Sequence, residues 1–211
     1  MLIPLTDLIG KHRFFPNGVL HLGAHTGEEA EAYVKCGVKN VVWVEADPDV
    51  IPKLQMHIAK FSQGCKHHVV KACVADKAGK PVTFRVTNNR QSSSILPMGT
   101  HLEQHPEVHV THTLPLSTTT VEKIFSEQKF DPAQYDFLNA DLQGSELLAL
   151  KGMGKLLAGF KYLYLEVNKE QLYQGCALLG EIDKYVEQFG FKRVDLSMTT
   201  HGWGDAFYIK R

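Results

Sequence analysis

The chain alternates short apolar runs with stretches whose apolar residues recur at helical spacing. Val19–Leu22 is a compact apolar run that stops at Gly23, and Glu28–Cys36 then repeats apolar side chains every three or four positions. This pattern predicts a strand, a glycine turn and a helix. Val41–Val44 and the helix predicted from Asp47 to about Phe61 repeat the arrangement, so the chain begins with a strand-helix-strand unit.

The rest of the chain continues the alternation of strands and helices. Further strands are predicted at His68–Val74, Val82–Val86, Val108–Thr113, Tyr135–Ala140, Tyr162–Val167, Phe191–Leu196 and Ala206–Ile209. Helices are predicted at Val121–Gln128, Ser145–Leu150 and Leu178–Phe189. We therefore expect an α/β domain with a mostly parallel sheet that is covered on both faces and closed by a pair of strands.

Length and charge narrow the classes of protein to consider. The chain has 211 residues, enough for one hydrophobic core, so we expect a single domain over residues 1–211. Lys plus Arg and Asp plus Glu both number 23, a balance that disfavours a phosphate backbone as the main partner. The four cysteines form no CxxC pair, which favours reduced, packed thiols. Without a basic leader or an apolar run of bilayer length, we expect a cytoplasmic protein with no membrane partner.

A glycine turn and an acidic strand end together indicate a nucleoside site. The turn GAHTG, from Gly23 to Gly27, lacks the third glycine of a dinucleotide fingerprint, and Glu28 and Glu29 would repel a pyrophosphate. Glu45 ends the next strand about 20 residues further on, where a carboxylate can accept hydrogen bonds from both ribose hydroxyls. A nicotinamide-dependent oxidoreductase is thereby disfavoured. Taken separately, the glycines are compatible with a plain tight turn, and Glu45 is compatible with a solvated strand end.

Polar residues also follow two later strands. Asp141–Glu146 closes one strand and opens a helix, and Glu166 and Asn168 end the next strand. Because ligands of such folds bind at the carboxyl ends of parallel strands, these side chains are candidates to contact a substrate. Asp141 and Glu166 are preferred as a general base; helix capping by Asp141 or Ser145 is the alternative. The oxygen-rich set of Asp141, Glu166 and Asn168 would also suit Mg²⁺.

The one long irregular segment, Asn88–Pro106, is rich in proline, serine and glycine. Long loops in compact domains are often functional, so we expect its serines to close a pocket or contact an acceptor; a flexible linker is the alternative. Four histidines in this region could suggest a metal site. Pro106 and the alternation of side chains along a strand disfavour it, because they keep the imidazoles from converging on one ion. These histidines are His101, His105, His109 and His112. Trp203 and Tyr208 could form an apolar wall or pack in the core.

Five segments, in this order, resemble the FkbM family of methyltransferases: VLHLGAHTGEEAEAY, VVWVEADP, SSSIL, LSTTTVEKI and YDFLNADLQGSELLALKGM. The likeness covers about Gly18 to Gly154 and is most specific from Asp136 to Gly152. It implies a Rossmann-like class I methyltransferase fold, a three-layer sandwich whose mostly parallel seven-stranded sheet has one antiparallel strand. It also implies S-adenosylmethionine as methyl donor and O-methylation of a sugar, a glycan or another small hydroxylated metabolite.

The resemblance also implies roles for individual residues. Gly23, His25 and Gly27 would border the methionine portion of the donor, Glu45 its ribose, Ala75 and Asp76 its adenine, and Asp141 the face where donor and acceptor meet. Asp141 and Glu166 are the catalytic candidates, and no metal ligand is assigned. The candidates for substrate binding are Ser93, Ser94, Gln143, Glu146, Asn168 and His201. The sequence departs from the usual family pattern at His21, where many members have an acidic residue.

Two classes of function remain open at this point. The first is the O-methyltransferase, with a small-molecule or glycan substrate and neither nucleic acid nor membrane as partner. The second is a catalytically silent domain that binds the nucleoside and serves as an interaction module. A homodimer is left open for either.

Overall fold

The computed structural model describes all 211 residues, Met1–Arg211. The strands are β1 (Gly18–Leu22), β2 (Asn40–Glu45), β3 (Lys66–Lys71), β4 (Cys73–Val74), β5 (Pro81–Thr87), β6 (Val110–Thr119), β7 (Phe137–Ala140), β8 (Tyr162–Asn168), β9 (Phe191–Met198) and β10 (Trp203–Lys210). The helices are α1 (Leu5–His12), α2 (Ala30–Lys35), α3 (Ile51–Ile58), α4 (His101–Gln104), α5 (Val121–Gln128), α6 (Glu146–Gly152) and α7 (Leu179–Glu187). None of these helices combines the length and the apolar character needed to cross a bilayer.

Seven strands form one sheet in the order β3-β2-β1-β7-β8-β10-β9. β10 is antiparallel to both of its neighbours, β8 and β9, whereas the other neighbouring strands of this sheet run parallel. The mostly parallel seven-stranded sheet with one antiparallel strand is thus confirmed. The strand order reverses between β1 and β7, and open α/β sheets bind their ligands at the carboxyl ends of strands beside such a reversal.

Both faces of the sheet are covered, as the alternation of strands and helices predicted. A core of 24 buried residues joins one face to α5, α6 and α7, and a core of 16 buried residues joins the other face to α1, α2 and α3. All five residues of β1 are buried, which explains why a strand enclosed on both sides has a continuous apolar sequence. The helix-sheet-helix layers form the expected three-layer sandwich.

A second sheet of three strands, in the order β4-β6-β5, corrects the interpretation of residues 68–119. The predicted strand His68–Val74 is two strands in different sheets, because the chain leaves the main sheet after Lys71 while its apolar run continues. β5 pairs antiparallel with β6 instead of joining the main sheet. β6 begins later than predicted and continues past Thr113 through Pro115, a residue that normally argues against a strand interior.

The first helix, α1, was not predicted. It has eight residues, of which only Leu5 and Leu8 are buried, so it offers too little apolar periodicity to be recognised. Its packing against the sheet belongs to the second core.

Candidate functional site

Carboxylates lie in one row across the carboxyl edge of the main sheet. Extending the register of β1 by one residue places Gly23 between Glu45 and Asp141. The register of β7 in turn places Asp141 beside Glu166, which is paired directly with Asp205 on the antiparallel strand. We call Glu45, Asp141, Glu166 and Asp205 the acidic row. Four strands of the sheet therefore present acids to the same place.

A cavity of about 520 Å³ opens along this edge. Small-molecule sites usually enclose about 300–1,000 Å³, so the cavity is large enough for a nucleoside-sized ligand. The acidic row and the long loop both contribute to its wall. The sequence candidates that line it are Gly23, His25, Glu45, Ser93, Ser94, Asp141, Gln143 and Glu166.

Three candidates assigned to the donor lie outside the cavity wall. Gly27 has a left-handed backbone with φ of 75°, and a side chain there would strike Leu54 and Ile58 of α3, so the glycine permits close helix packing. Ala75 is buried. Asp76 accepts a hydrogen bond from Lys80 Nζ at 3.3 Å. The wall on that side is formed by Ala72, Cys73 and Val74 instead.

Three candidates for substrate contact also lie outside the wall. Glu146 is buried beneath the loop that precedes α6, and His201 is an exposed residue of the turn before β10. Asn168 is fully buried, and neither polar atom of its side chain has a hydrogen-bond partner. Because it is paired directly with Trp203, Asn168 shares a sheet face with this cavity-lining residue.

Glu45 is buried at the end of β2 and organises two backbone segments. Its Oε2 accepts the backbone N–H of His25 at 2.8 Å, and its Oε1 accepts that of Asp47 at 2.7 Å. Burial raises the pKa of Glu45, and these two donors partly offset the rise. A carboxylate has about four acceptor positions, so about two remain for hydroxyl groups in the cavity. These positions face the site at which the sequence predicts a ribose.

The glycine turn is closed by short polar contacts. His25 Nδ1 lies 2.7 Å from Glu28 Oε1, and Thr26 Oγ1 donates to the same oxygen at 2.8 Å. Burial would raise the pKa of Glu28, but these contacts lower it to about 2 and raise the pKa of His25. Gly23 needs φ of 78°, and a Cβ there would collide with the backbone oxygen of Asp141. The turn therefore packs directly against the catalytic candidate.

Gln143 links the two central acids of the row. Its Nε2 donates to Asp141 Oδ1 at 2.6 Å and to Glu166 Oε2 at 2.7 Å. The hydroxyl of Tyr173 donates to Gln143 Oε1 at 2.7 Å. Asp141 is exposed and Glu166 is buried. Burial raises the pKa of Glu166 well above its usual range, and the charge of Asp141 adds to the rise.

Glu146 supports this loop from below. Its Oε1 accepts the backbone N–H of Leu142 at 2.7 Å and that of Gly144 at 3.1 Å. Burial raises the pKa of Glu146 to about 7, and the nearby charge of Asp141 contributes. The side chain thus fixes the backbone on both sides of Gln143.

Two residues of the site, Asp205 and His21, were given no role by the predictions from sequence. Asp205 is buried and accepts hydrogen bonds from the Tyr164 hydroxyl and from the Leu2 backbone. An acid directly before the apolar run of β10 was the available signal. His21 lines the cavity with its Nδ1 3.1 Å from the Tyr33 hydroxyl. Burial lowers the pKa of His21, so a neutral imidazole stands where many family members carry an acid.

Arg90 attaches the long loop to the end of β2. Its Nη1 donates to Asp47 Oδ2 at 2.6 Å and its Nη2 donates to Asp49 Oδ2 at 3.1 Å. Asp47 is buried and also donates its backbone N–H to Glu45. The loop is therefore connected through two residues to the proposed ribose contact.

The opposite wall of the cavity is largely apolar and aromatic. Trp203, Leu172 and Val108 line it, whereas Tyr208 lies in the core and donates to Asp183.

The ring of His105 lies 4.9 Å from that of His101 and 4.7 Å from that of His201. No group of three or more His, Cys, Asp or Glu side chains is arranged to hold a metal ion.

The family model of the methyltransferase FkbM domain matches residues 21–193. No curated protein matches the chain by sequence. A putative RNA methyltransferase from Pyrococcus horikoshii is similar in structure, with 13% identity, a TM-score of 0.51 and coverage of 96% of this chain and 79% of that chain. A SAM-dependent methyltransferase from Aquifex aeolicus has 13% identity and a TM-score of 0.51, covering 96% and 88% of the two chains.

A putative tRNA (m1A22) methyltransferase from Streptococcus pneumoniae, solved in complex with S-adenosyl-L-methionine, has 12% identity and a TM-score of 0.51, with 99% of this chain and 73% of that chain covered. Likeness at these identities concerns the fold, and it confirms the predicted class I methyltransferase architecture. The family match spans most of the chain and includes the turn that follows β1, the end of β2 and the loop between β7 and α6. This chain therefore belongs to the FkbM methyltransferase family.

Proposed function

We propose that this FkbM methyltransferase transfers a methyl group to a hydroxyl oxygen of a sugar, a glycan or another small hydroxylated metabolite. S-adenosylmethionine is its cofactor, in agreement with the family match and with the fold shared with a methyltransferase solved with this molecule bound. The observation that carries the proposal is the position of Asp141 and Glu166, side by side on the cavity wall and in the same row as Glu45.

The residues of the cavity suit this cofactor. When bound, S-adenosylmethionine supplies a methyl group on a positively charged sulfur. The remaining acceptor positions of Glu45 would accept hydrogen bonds from the ribose hydroxyls, and the apolar wall of Ala72 and Val74 suits an adenine ring. The acids of the row complement the positive charge.

Methyl transfer to oxygen needs alignment of the acceptor and removal of its proton. Asp141 and Glu166 lie next to each other on the wall, so a hydroxyl group that approaches them can be both oriented and deprotonated there. The proton passes to a carboxylate of this pair as the oxygen takes the methyl group. Glu45 lies in the same row, separated from Asp141 by Gly23. The cofactor and the acceptor would therefore lie along the same carboxyl edge of the sheet.

The charges on the wall disfavour an anionic acceptor. Arg90 is the only lysine or arginine among the lining residues, and its guanidinium is already engaged by Asp47 and Asp49. The acidic row would repel a phosphate or carboxylate group. Trp203 provides an aromatic surface on which the apolar face of a sugar can rest.

The proposal is tested by transfer of a labelled methyl group from S-adenosylmethionine to a panel of neutral glycans and small hydroxylated compounds, with RNA as a competing class. We expect transfer to a neutral hydroxylated acceptor. Asp141→Asn should lower the rate about 10²–10⁴-fold, the usual contribution of a general base, whereas Asp7→Asn on the surface of α1 should not. Transfer to RNA alone, or full activity of both Asp141→Asn and Glu166→Gln, would contradict the proposal.

A further inference from the structure

We propose that Gln143 is a positioning residue that holds Asp141 and Glu166 as a carboxyl pair with a single shared proton, so that Asp141 is the base and Glu166 carries the proton. This inference rests on the proposed function for the role of base, although the shared proton is measurable without it. It assigns different roles to Asp141 and Glu166, which the sequence did not distinguish.

The first observation is that one amide nitrogen serves both acids. Gln143 Nε2 has two N–H bonds, and it lies 2.6 Å from Asp141 Oδ1 and 2.7 Å from Glu166 Oε2. The two acceptor oxygens are thereby held close together at the edge of adjacent strands. Two carboxyl groups on adjacent strands that share one donor disfavour each other's negative charge.

The second observation is that Gln143 is itself fixed from several directions. Tyr173 donates its hydroxyl to Gln143 Oε1 at 2.7 Å, and Ser94 Oγ donates to the Gln143 backbone oxygen at 2.8 Å. The backbone of Gln143 is left-handed, with φ of 53°, a conformation that costs about 1–2 kcal/mol in a residue with a side chain. These contacts, with Glu146 beneath, maintain the conformation that aims the amide at both acids.

The third observation is that the two acids differ in exposure. Glu166 is 4% exposed, whereas Asp141 is an exposed residue on the cavity wall. Burial favours the neutral form of Glu166 over its charged form. The proton therefore resides on Glu166, and the carboxylate of Asp141 is the one that meets the acceptor.

The assignment gives a balanced reaction. The O–H bond of the acceptor breaks and its proton goes to Asp141, while the oxygen forms its bond to the methyl group and the bond from that methyl group to sulfur breaks. One positive charge on sulfur and one negative charge on Asp141 disappear together. The proton on Glu166 stays in place throughout.

Infrared spectroscopy of protonated carboxyl groups tests the shared proton on the whole chain, without acceptor. At neutral pH, Glu166→Gln should remove one protonated carboxyl from the wild-type spectrum. Gln143→Glu replaces the donor amide with a third acid, so it should bind one additional proton. Gln174→Glu is the matched control, because Gln174 follows Tyr173 and donates to the Met98 backbone oxygen away from the pair, and its proton count should be unchanged. An unchanged carboxyl signal in both Glu166→Gln and Gln143→Glu would overturn the proposal.

Kinetics then separate positioning from a purely structural role. Gln143→Glu should lower kcat about 10²-fold with little change in the KM for S-adenosylmethionine, since misplacement of a catalytic group costs that much. The double variant Gln143→Glu, Glu166→Gln exchanges the amide and the acid, and it should recover to within about tenfold of the wild-type rate. A loss of activity in Glu166→Gln alone as large as that in Asp141→Asn would make Glu166 the base and overturn the division of roles. If no acceptor is methylated, the proposed function fails, while the infrared result still decides the shared proton.

Discussion

Glu146 is 1% exposed, and its single Oε1 accepts two backbone N–H groups of the loop that carries Gln143. A buried acid with a raised pKa in a ligand-binding cleft is often a candidate for chemistry. Here the contacts assign it a structural role instead. Two acids of one motif thus have different roles: Glu146 supports the loop, and Asp141, as proposed, accepts the proton.

Replacing Glu146 should change how stability depends on pH. The pKa of about 7 in the folded chain, against 4.5 for an ordinary glutamate, means that the folded state binds more protons than the unfolded state between these values. Stability therefore falls as pH rises through this window, by on the order of 3 kcal/mol for this residue. Glu146→Gln keeps the acceptor oxygen and removes the ionisation. Its melting temperature should match that of the wild type below the window and exceed it above; melting curves that differ by a constant amount would contradict this.

The affinity for S-adenosylmethionine should depend on the second carboxylate oxygen of Glu45. Glu45→Gln places an NH₂ group against a backbone N–H of His25 or Asp47 and withdraws an acceptor from the ribose. Hydrogen bonds to charged groups contribute about 1.5–3 kcal/mol, so affinity for S-adenosylmethionine should fall about tenfold to hundredfold. Calorimetric titration measures this, with the melting temperature of the free variant as control for folding. An affinity equal to that of the wild type would remove Glu45 from the cofactor site.

At the scale of elements, the seven-stranded sheet was predictable from the sequence, whereas the three-stranded sheet of β4, β5 and β6 was not. Enclosed strands such as β1 and β2 have apolar sequences that end at a glycine or an acid, so their pattern shows both the strand and its ligand-binding end. Val82–Val86 and Val108–Thr113 were predicted as strands but not as a separate sheet, and Pro115 hid the continuation of β6. Among site residues, Asp141 and Glu166 follow from strand ends, whereas the contacts of Arg90 and Asp205 depend on residues distant in sequence.

The long loop should depend on Arg90 for its position over the cavity. Arg90→Ala leaves the buried carboxylate of Asp47 without its charged partner, whereas Asp49→Ala removes only an exposed one. We expect Arg90→Ala to speed backbone hydrogen exchange across residues 88–95 and to weaken S-adenosylmethionine binding about tenfold, because loop closure contributes to retention of a ligand. Asp49→Ala should resemble the wild type in both measurements. Equal behaviour of the two variants would show that the arginine does not hold the loop.

At the scale of the whole molecule, charge distribution bears on the class of acceptor. Basic and acidic residues are equal in number, and the cavity wall is acidic. A substrate with a phosphate backbone binds with a steep dependence on salt, whereas an uncharged acceptor does not. We therefore expect the KM for a neutral acceptor to change less than about twofold across the range of salt in which binding of nucleic acids falls by orders of magnitude. A steep loss of activity with salt would favour a polyanionic substrate.

S-adenosylmethionine is proposed to lie across the carboxyl edge of the sheet, and calorimetric titration of the wild-type chain with this molecule tests that position most directly. We expect heat of binding at a single site, with a dissociation constant between about 1 μM and 1 mM, the usual range for substrates of enzymes. Saturating amounts should also raise the melting temperature, because a ligand that binds only the folded state stabilises it. Absence of heat together with an unchanged melting temperature would contradict the central claim.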